Sequence, residues 1–168
     1  MAGSSEVAGQ YLAALVGEAE RSGKAIDEIC IDSLRQMKAQ GQKIPGLGHP
    51  QHSGGDPRAA RLLEIAEQQG LCGLHAKVLR SLSDEAEGAY GRRLPINVSG
   101  AIPAVMLDAG WPVGAMKGIP LVARAMGLVA HLFEESVRPI GFILSHHADL
   151  AIQYDGPRAG RDNASEDR

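Results

Sequence analysis

The side chains best suited to chemistry in this sequence are one histidine in a glycine-rich loop and three isolated arginines. His49 ends the stretch Gly46-Leu-Gly-His, where two glycines let the backbone approach a ligand closely. Its imidazole could donate a hydrogen bond to a carbonyl oxygen that gains negative charge. On spacing alone, a loop histidine bonded to a backbone carbonyl is the commoner situation, so both interpretations stay open.

The arginines Arg58, Arg124 and Arg138 each stand alone at the end of, or inside, a predicted helix. A guanidinium keeps its charge in a protein, so an arginine in apolar surroundings needs an anion. Arg124 is flanked by aliphatic residues, and two partners are possible for it: a ligand carboxylate in a cleft, or Asp108 or Glu134 of the same chain. Taken singly, Arg58 and Arg138 are expected to be solvated surface residues.

The other histidines do not predict a metal site. His52 lies three residues after His49, without Cys, Asp or Glu at ligand spacing, and the pair His146-His147 is expected to be a solvated helix end. The glycine-rich loop also lacks the Lys-Ser/Thr of a phosphate-binding loop and the GxGxxG of a dinucleotide site. We therefore expect no metal, no nucleotide hydrolysis and no dinucleotide binding.

The elements that must position these residues are helices, because apolar residues recur at helical spacing and no strand alternation is found. Asp56-Pro57 is a cap followed by a first-turn proline, which predicts a helix start directly before Arg58. The predicted helices are residues 6–19, with Ser4 or Ser5 as cap, 26–38, 57–70, 74–90, 96–109, a short one at 113–117, 119–135, and a last one from Pro139. We predict an all-α fold in which segment 96–109, apolar almost all round, is buried in a core, while segment 119–135 is nearly as apolar and carries one charge, Arg124, in its middle.

Composition excludes several classes of protein. The 168 residues carry 17 Lys+Arg and 20 Asp+Glu without a basic block, which argues against a nucleic-acid groove or a membrane-surface patch. No signal peptide is seen, and no apolar run approaches the roughly 20 residues of a membrane span. The two cysteines are expected to be small core residues in a reducing compartment. We expect a cytoplasmic protein with a disordered polar tail at 157–168.

Four motifs occur in an order that resembles the C-terminal half of the citrate synthase superfamily, in the form closest to citryl-CoA lyases and the C-terminal module of ATP-citrate lyase. They are Ile44-Pro-Gly-Leu-Gly-His49, Asp56-Pro-Arg58, Asn97-Val-Ser-Gly100, and Ala123-Arg-Ala-Met-Gly127 followed by Ala130-His131. The resemblance extends from Met1 to about Asp155. It implies a small domain at 1–108 and C-terminal helices of the large domain at 109–156, in a two-domain dimeric enzyme.

The resemblance also implies roles for individual residues in joining or separating acetyl-CoA and oxaloacetate. His49 would polarise the substrate carbonyl or hydroxyl. The carboxylates of oxaloacetate or citrate would be bound by Arg58, Arg124 and Arg138. The adenine end of acetyl-CoA or citryl-CoA, the only cofactor implied, would lie against the backbone of Pro45, Gly46, Leu47 and Gly48.

Two departures from the family pattern matter for activity. Ser99 stands where the family has its catalytic aspartate, and an unactivated hydroxyl cannot supply the general-base catalysis worth roughly 10²–10⁴ in rate. Gly3-Ser-Ser-Glu6 resembles a stretch that follows another active-site histidine in the family, so the chain corresponds to the C-terminal part only. In addition, Ser53 replaces a basic residue that many synthases direct at coenzyme A phosphate.

Three functional hypotheses remain open on the sequence. The first is the C-terminal part of a citryl-CoA lyase or citrate synthase-like enzyme, working as a homo-oligomer or with a chain that carries the N-terminal half. Helices 96–109 and 119–135 would then pack on large-domain helices that this chain does not contain. The second is a non-catalytic module that binds coenzyme A or carboxylates, or that drives oligomerisation. The third is a fragment that never accumulates in folded form.

Overall fold

The computed structural model describes residues 2–48, 54–153 and 155–156, and within these it is all-helical, which confirms the predicted fold class. A single 3₁₀ turn, Val113–Ala115, separates the fifth and sixth α-helices. The α-helices are α1 (Ala2–Ser22), α2 (Ile26–Ala39), α3 (Pro57–Gln68), α4 (Leu74–Tyr90), α5 (Val98–Asp108), α6 (Gly118–Val137) and α7 (Gly141–Ala151).

Local signals set most of these boundaries. The side chain of Asp56 accepts a hydrogen bond from the backbone N–H of Arg58 and caps α3, with Pro57 in the first turn, as predicted. Gly41, in the left-handed region, follows the end of α2. The predicted cap at Ser4 or Ser5 is wrong, because α1 begins at Ala2 and Ser5 is buried within it. The apolar face of α1 therefore extends one turn further than its periodicity indicated.

The chain divides into two compact units, Met1–Arg124 and Ala125–Arg168. In the first unit, α2 packs on α4, and α5 packs on α1, α3 and α4. The core is aliphatic and includes Leu12, Leu34, Leu79, Leu82 and Met116, all fully buried. The predicted domain boundary at residue 108 stays a prediction, and the tail 157–168 lies outside the described residues.

α5 is buried, as its composition predicted, but its partners differ from those expected. We expected residues 96–109 to pack on helices outside this chain. Instead Gly100, Ala101, Pro103, Ala104 and Val105 are buried against helices of the first unit. At Gly9 of α1 the approach to α5 is close, since a Cβ there would lie 3.2 Å from Pro103 Cβ. The five helices α1 to α5 therefore form a core of their own.

α6 is exposed in this chain; residues 119–135 were expected to pack on large-domain helices that the chain does not contain. No residue of α6 is buried, and Phe133 exposes 73% of its surface. α7 is equally uncovered, with Phe142 almost fully exposed. The corner between these two helices is made by Glu135, whose carboxylate accepts hydrogen bonds from the N–H groups of Ile140 and Gly141. These bonds lower the pKa of Glu135. The exposed apolar side chains from Leu121 to Ile152 are called the α6–α7 surface below.

One segment, Val113–Val137, is long and apolar enough by length and composition to cross a membrane. Between Val113 and Phe133 only Lys117 and Arg124 are charged at neutral pH, so the expectation that no apolar run approaches such a length was too strict. A core helix of a soluble protein passes the same test.

Candidate functional site

The loop predicted to bind coenzyme A lies against the segment that leads into α5. Gly48 N donates to Pro95 O over 2.7 Å, and Asn97 N donates to Gly46 O over 3.0 Å. Between these bonds Leu47 and Ile96 form an antiparallel bridge. Residues 46–48 and 95–97 therefore run side by side, which brings two motifs that are about fifty residues apart in sequence into one structure.

Two glycines allow this contact. A Cβ at Gly100 would lie 2.6 Å from the carbonyl oxygen of Gly46, and a Cβ at Gly46 would lie 2.8 Å from Gly100 Cα. Gly46 also has a φ of +87°, in the left-handed region that side chains disfavour. The backbones meet directly, so neither position accepts a larger residue without moving the loop.

Asn97 holds the loop with its side chain as well. Asn97 Nδ2 donates to Gly48 O over 2.6 Å, while its Oδ1 accepts from Gly100 N and caps α5. The sequence pattern placed Asn97 only inside a motif; the helix-cap preference of asparagine before a helical run was the available signal. Ser99 follows as the second residue of α5 and is half-buried. His49 and Ser53 lie outside the described residues.

Asp56 links Arg58 to the start of α5. Its carboxylate is fully buried and accepts from Arg58 Nε and Nη2, each over 2.9 Å, and from Val98 N over 2.9 Å. The Arg58 side-chain hydrogen bonds outweigh the cost of burial and hold the pKa of Asp56 well below its usual range. The Arg58 guanidinium remains 58% exposed. The structure thus unites Arg58, Ser99 and the loop around the start of α5.

An open cleft of about 450 Å³ adjoins this junction, between α3 and residues 93–96. Its wall is largely apolar, with Ala59, Ala60, Leu63, Pro95 and Ile96, and Arg93 lies at its rim. Arg93 was not singled out from the sequence, because nothing in its neighbours indicates that residues 91–95 border a cleft. The cleft could accept a flat apolar group beside an anionic one.

Arg124 is not among the residues that meet at this junction in the first unit, and Arg138 belongs to the second unit. Arg124 is exposed on α6, which corrects the prediction that it is buried. The carboxylates considered as its partners are engaged elsewhere: Asp108 with His75 and the N–H groups at the start of α4, and Glu134 with Arg138 over 3.1 Å. The predicted pairing of Arg124 with either carboxylate is therefore not seen. Arg138 lies on the surface, where it pairs with Glu134 one helical turn earlier in the chain.

The assembled groups are suited to binding an anion next to a carbonyl. An exposed guanidinium edge, a half-buried hydroxyl and a fixed glycine-rich backbone surround the start of α5. Within the described residues no group of three metal-ligating side chains occurs.

Comparison with known proteins gives a family. The family described as citrate synthase, C-terminal domain, matches residues 8–140 of the chain. No curated protein matches it. Among solved structures, citryl-CoA lyase from Hydrogenobacter thermophilus superposes with a TM-score of 0.68 at 27% identity. The match covers 99% of this chain and 59% of the lyase, so the chain spans about three fifths of that protein. The matched region contains the loop, the Asp56–Arg58 pair and α5, and the chain belongs to the citrate synthase family.

Proposed function

We propose that this chain is the C-terminal part of an enzyme that acts on acetyl-CoA and oxaloacetate, by cleaving citryl-CoA or by forming citrate. The observation that carries the proposal is the junction at the start of α5, where Gly46–Gly48, Ser99 and Arg58 meet. The chain also superposes over nearly its whole length on a protein described as a citryl-CoA lyase. The substrate class and the residue roles given below are part of this proposal.

In the cleavage direction, the central hydroxyl of the citryl group gives its proton to the imidazole of His49, and its carbon and oxygen become the keto group of oxaloacetate. The carbon–carbon bond to the acetyl methylene breaks, and its electron pair forms the enolate of acetyl-CoA, which then takes a proton at carbon. In our proposal His49 donates a hydrogen bond to the oxygen that carries negative charge. Arg58 binds a carboxylate of the four-carbon fragment. Pro45, Gly46, Leu47 and Gly48 line the adenine end of coenzyme A.

Proton transfer at carbon is the step for which this chain lacks an evident group. Ser99, at the position of the family aspartate, has a hydroxyl that is too weak an acid to protonate the enolate in cleavage and too weak a base to remove the methyl proton in citrate formation near neutral pH. Replacing Ser99 with Asp should therefore raise turnover of citryl-CoA, by up to about 10²–10⁴-fold if the hydroxyl is the only defect. An unchanged rate would indicate that another group moves the proton or that the chain uses a different acyl-CoA.

The α6–α7 surface supports an assembly larger than this chain alone. An apolar surface of this extent is unusual on a monomer in water. About two fifths of the lyase has no counterpart in the match. We propose that the α6–α7 surface is covered either by a second copy of this chain or by a separate chain that carries polypeptide equivalent to that remainder. Arg124 and Arg138, which are exposed on α6 and directly after it, would then reach the substrate from within the assembly.

The test is to purify the tagged chain from its source cells with whatever associates stoichiometrically, and to supply citryl-CoA. Release of oxaloacetate, followed by reduction to malate with NADH, is the expected result. His49→Ala and Arg58→Ala should abolish or strongly reduce the release, whereas Glu64→Gln on the exposed face of α3 should not. If the folded assembly releases no oxaloacetate and forms no citrate from acetyl-CoA and oxaloacetate, the proposed activity is wrong.

Ser99 favours a second candidate, a non-catalytic module that binds coenzyme A or carboxylates. It predicts citrate or coenzyme A binding to the chain and no turnover in any assembly. Turnover that depends on His49 would exclude it. Binding by calorimetry together with an absent signal in the coupled assay would favour it.

A further inference from the structure

We propose that Asp56 is a positioning residue: it fixes the orientation of Arg58 so that one edge of the guanidinium faces an incoming carboxylate, and it sets the position of that edge relative to Ser99. The identity of the carboxylate, a citrate or oxaloacetate group, rests on the proposed function. The proposed orientation of Arg58 does not depend on that function.

The geometry of the pair is side-on. Arg58 Nε donates to Asp56 Oδ1 and Arg58 Nη2 donates to Asp56 Oδ2, both over 2.9 Å. Two parallel bonds hold a planar guanidinium in one plane and one rotation, which a single bond cannot do. The carboxylate is itself immobile, because its side chain is fully buried and caps α3.

Among the residues that the structure describes, none but Asp56 bonds to the Arg58 side chain, and this pairing leaves the end-on edge of the guanidinium available. A guanidinium has five N–H donors, and Asp56 takes one on Nε and one on Nη2. The two N–H groups of Nη1 and the outer one of Nη2 remain, and together they present the edge that binds a second carboxylate in a bidentate way. The side chain is 58% exposed, so a ligand can reach this edge.

The charge of Asp56 does not cancel the attraction of Arg58 for a second anion. Asp56 also accepts hydrogen bonds from the backbone N–H groups of Arg58 and Val98. Four donors share one carboxylate, so part of its negative charge is balanced by backbone dipoles instead of by the guanidinium. Arg58 thus keeps a net positive potential at its free edge.

The same carboxylate is linked to the start of α5. Asp56 Oδ2, which accepts from Arg58 Nη2, also accepts from Val98 N, and Val98 precedes Ser99 directly. Asp56 therefore sets the spacing between the cation and the hydroxyl. A helix cap alone would require only the bond from Arg58 N, as Asn97 shows at α5 with its bond from Gly100 N.

The first measurement needs no ligand. In the full chain labelled with ¹⁵N, the Nε–H resonance of Arg58, assigned by its loss in Arg58→Ala, should show restricted motion and slow exchange with water. Asp56→Ser keeps an oxygen that can cap α3 but cannot hold a guanidinium side-on, so this resonance should become mobile. In Glu64→Gln, which breaks the exposed Arg61–Glu64 pair, it should be unchanged. An Arg58 signal as ordered in Asp56→Ser as in the parent chain would overturn the proposal.

The second measurement is citrate binding to the full chain by calorimetry. Asp56→Ser and Arg58→Ala should each weaken binding by about tenfold to a hundredfold, and the double variant should be no weaker than Arg58→Ala alone. If the losses of binding free energy in the two single variants added up in the double variant, the proposed coupling between Asp56 and Arg58 would be wrong. Arg58→Lys leaves the cap and the charge in place but cannot form both edges, so it should also bind about tenfold more weakly; binding equal to the parent would contradict the proposal.

The two proposals fail in different ways. If citrate binds neither the parent chain nor its purified assembly, but Arg58 loses its order in Asp56→Ser, the substrate class is wrong and the positioning role stands. If citrate binds and neither the order of Arg58 nor the affinity depends on Asp56, the positioning role is wrong and the proposed function stands.

Discussion

The helices α5 and α6 are both strongly apolar, yet their surroundings in the structure are opposite. α5 is buried against α1, α3 and α4, whereas α6 has no buried residue and is exposed from Leu121 onward. Apolar composition shows that a helix must be covered to be stable in water. It does not show which polypeptide provides the cover. The difference separates the part of this chain that completes its own core from the part whose partner has to be identified.

The largest expected difference between the two regions is in the cost of truncating a leucine. Leu79, on α4 beneath α5, is fully buried, while Leu132 on α6 exposes 63% of its surface. Leu79→Ala should lower the free energy of unfolding by about 2–5 kcal/mol, because it removes buried methyl groups and leaves a cavity. Leu132→Ala in the same chain should change it by less than about 0.5 kcal/mol. Urea unfolding followed by circular dichroism measures both.

Leu132→Ala becomes informative in the assembly. If polypeptide equivalent to the rest of the lyase covers the α6–α7 surface, the variant should weaken that association while the isolated chain stays as stable as before. If analytical ultracentrifugation shows that Leu132→Ala and the parent chain associate with the partner equally well, the contact with the partner does not involve Leu132.

A second pair of variants compares glycines on the two helices. Gly100→Ala should destabilise the chain by about 1–3 kcal/mol, because the added Cβ would meet the carbonyl oxygen of Gly46 at 2.6 Å. Gly127 on α6 has no atom near its Cβ position, and Gly127→Ala should be neutral or stabilising by up to about 1 kcal/mol. A Gly100→Ala chain as stable as its parent in urea would show that the loop moves freely away from α5.

The structure also shows which features of the fold could be predicted from the sequence. Helix periodicity and the Asp56-Pro57 cap were sufficient for α2, α3 and α4, because those signals are local. The cap of α1 was wrong, since the burial of Ser5 depends on tertiary packing. Arg124 was predicted to be buried from its aliphatic neighbours in sequence. Residues adjacent in sequence do not determine whether a side chain is shielded from solvent in the folded chain.

The candidate site was predicted only in part for the same reason. Arg58, Ser99 and the loop were named from motifs, and the structure brings them together. The links that join them were not foreseen: Asp56 to Val98, and Asn97 to Gly48. Hydrogen bonds across forty or fifty residues of chain leave no periodic signal in a single sequence.

The third prediction concerns the buried carboxylate at pH values below neutral. The pKa of Asp56 is depressed in the folded chain, so its contribution is present above the ordinary aspartate pKa and is lost as pH falls below about 4. Near neutral pH, Asp56→Asn should cost about 1–3 kcal/mol through the lost charged hydrogen bonds. The difference between variant and parent should shrink as the parent's carboxylate is protonated. A difference that stays constant from pH 7 to pH 2 in urea titrations would contradict this assignment.

The smallest effect is expected from the carboxylate that performs the comparable task in the exposed region. Glu135 accepts N–H bonds before α7 much as Asp56 does before α3, and its pKa is lowered for that reason. Its side chain is in water, however, where solvent replaces a lost hydrogen bond and salt screens the charge. Glu135→Gln should therefore leave the urea midpoint of the isolated chain unchanged between pH 3 and pH 7. Should the midpoint fall with pH in the parent but not in Glu135→Gln, the α6–α7 corner would contribute to the cooperative core, and the contrast between the two regions would have to be redrawn.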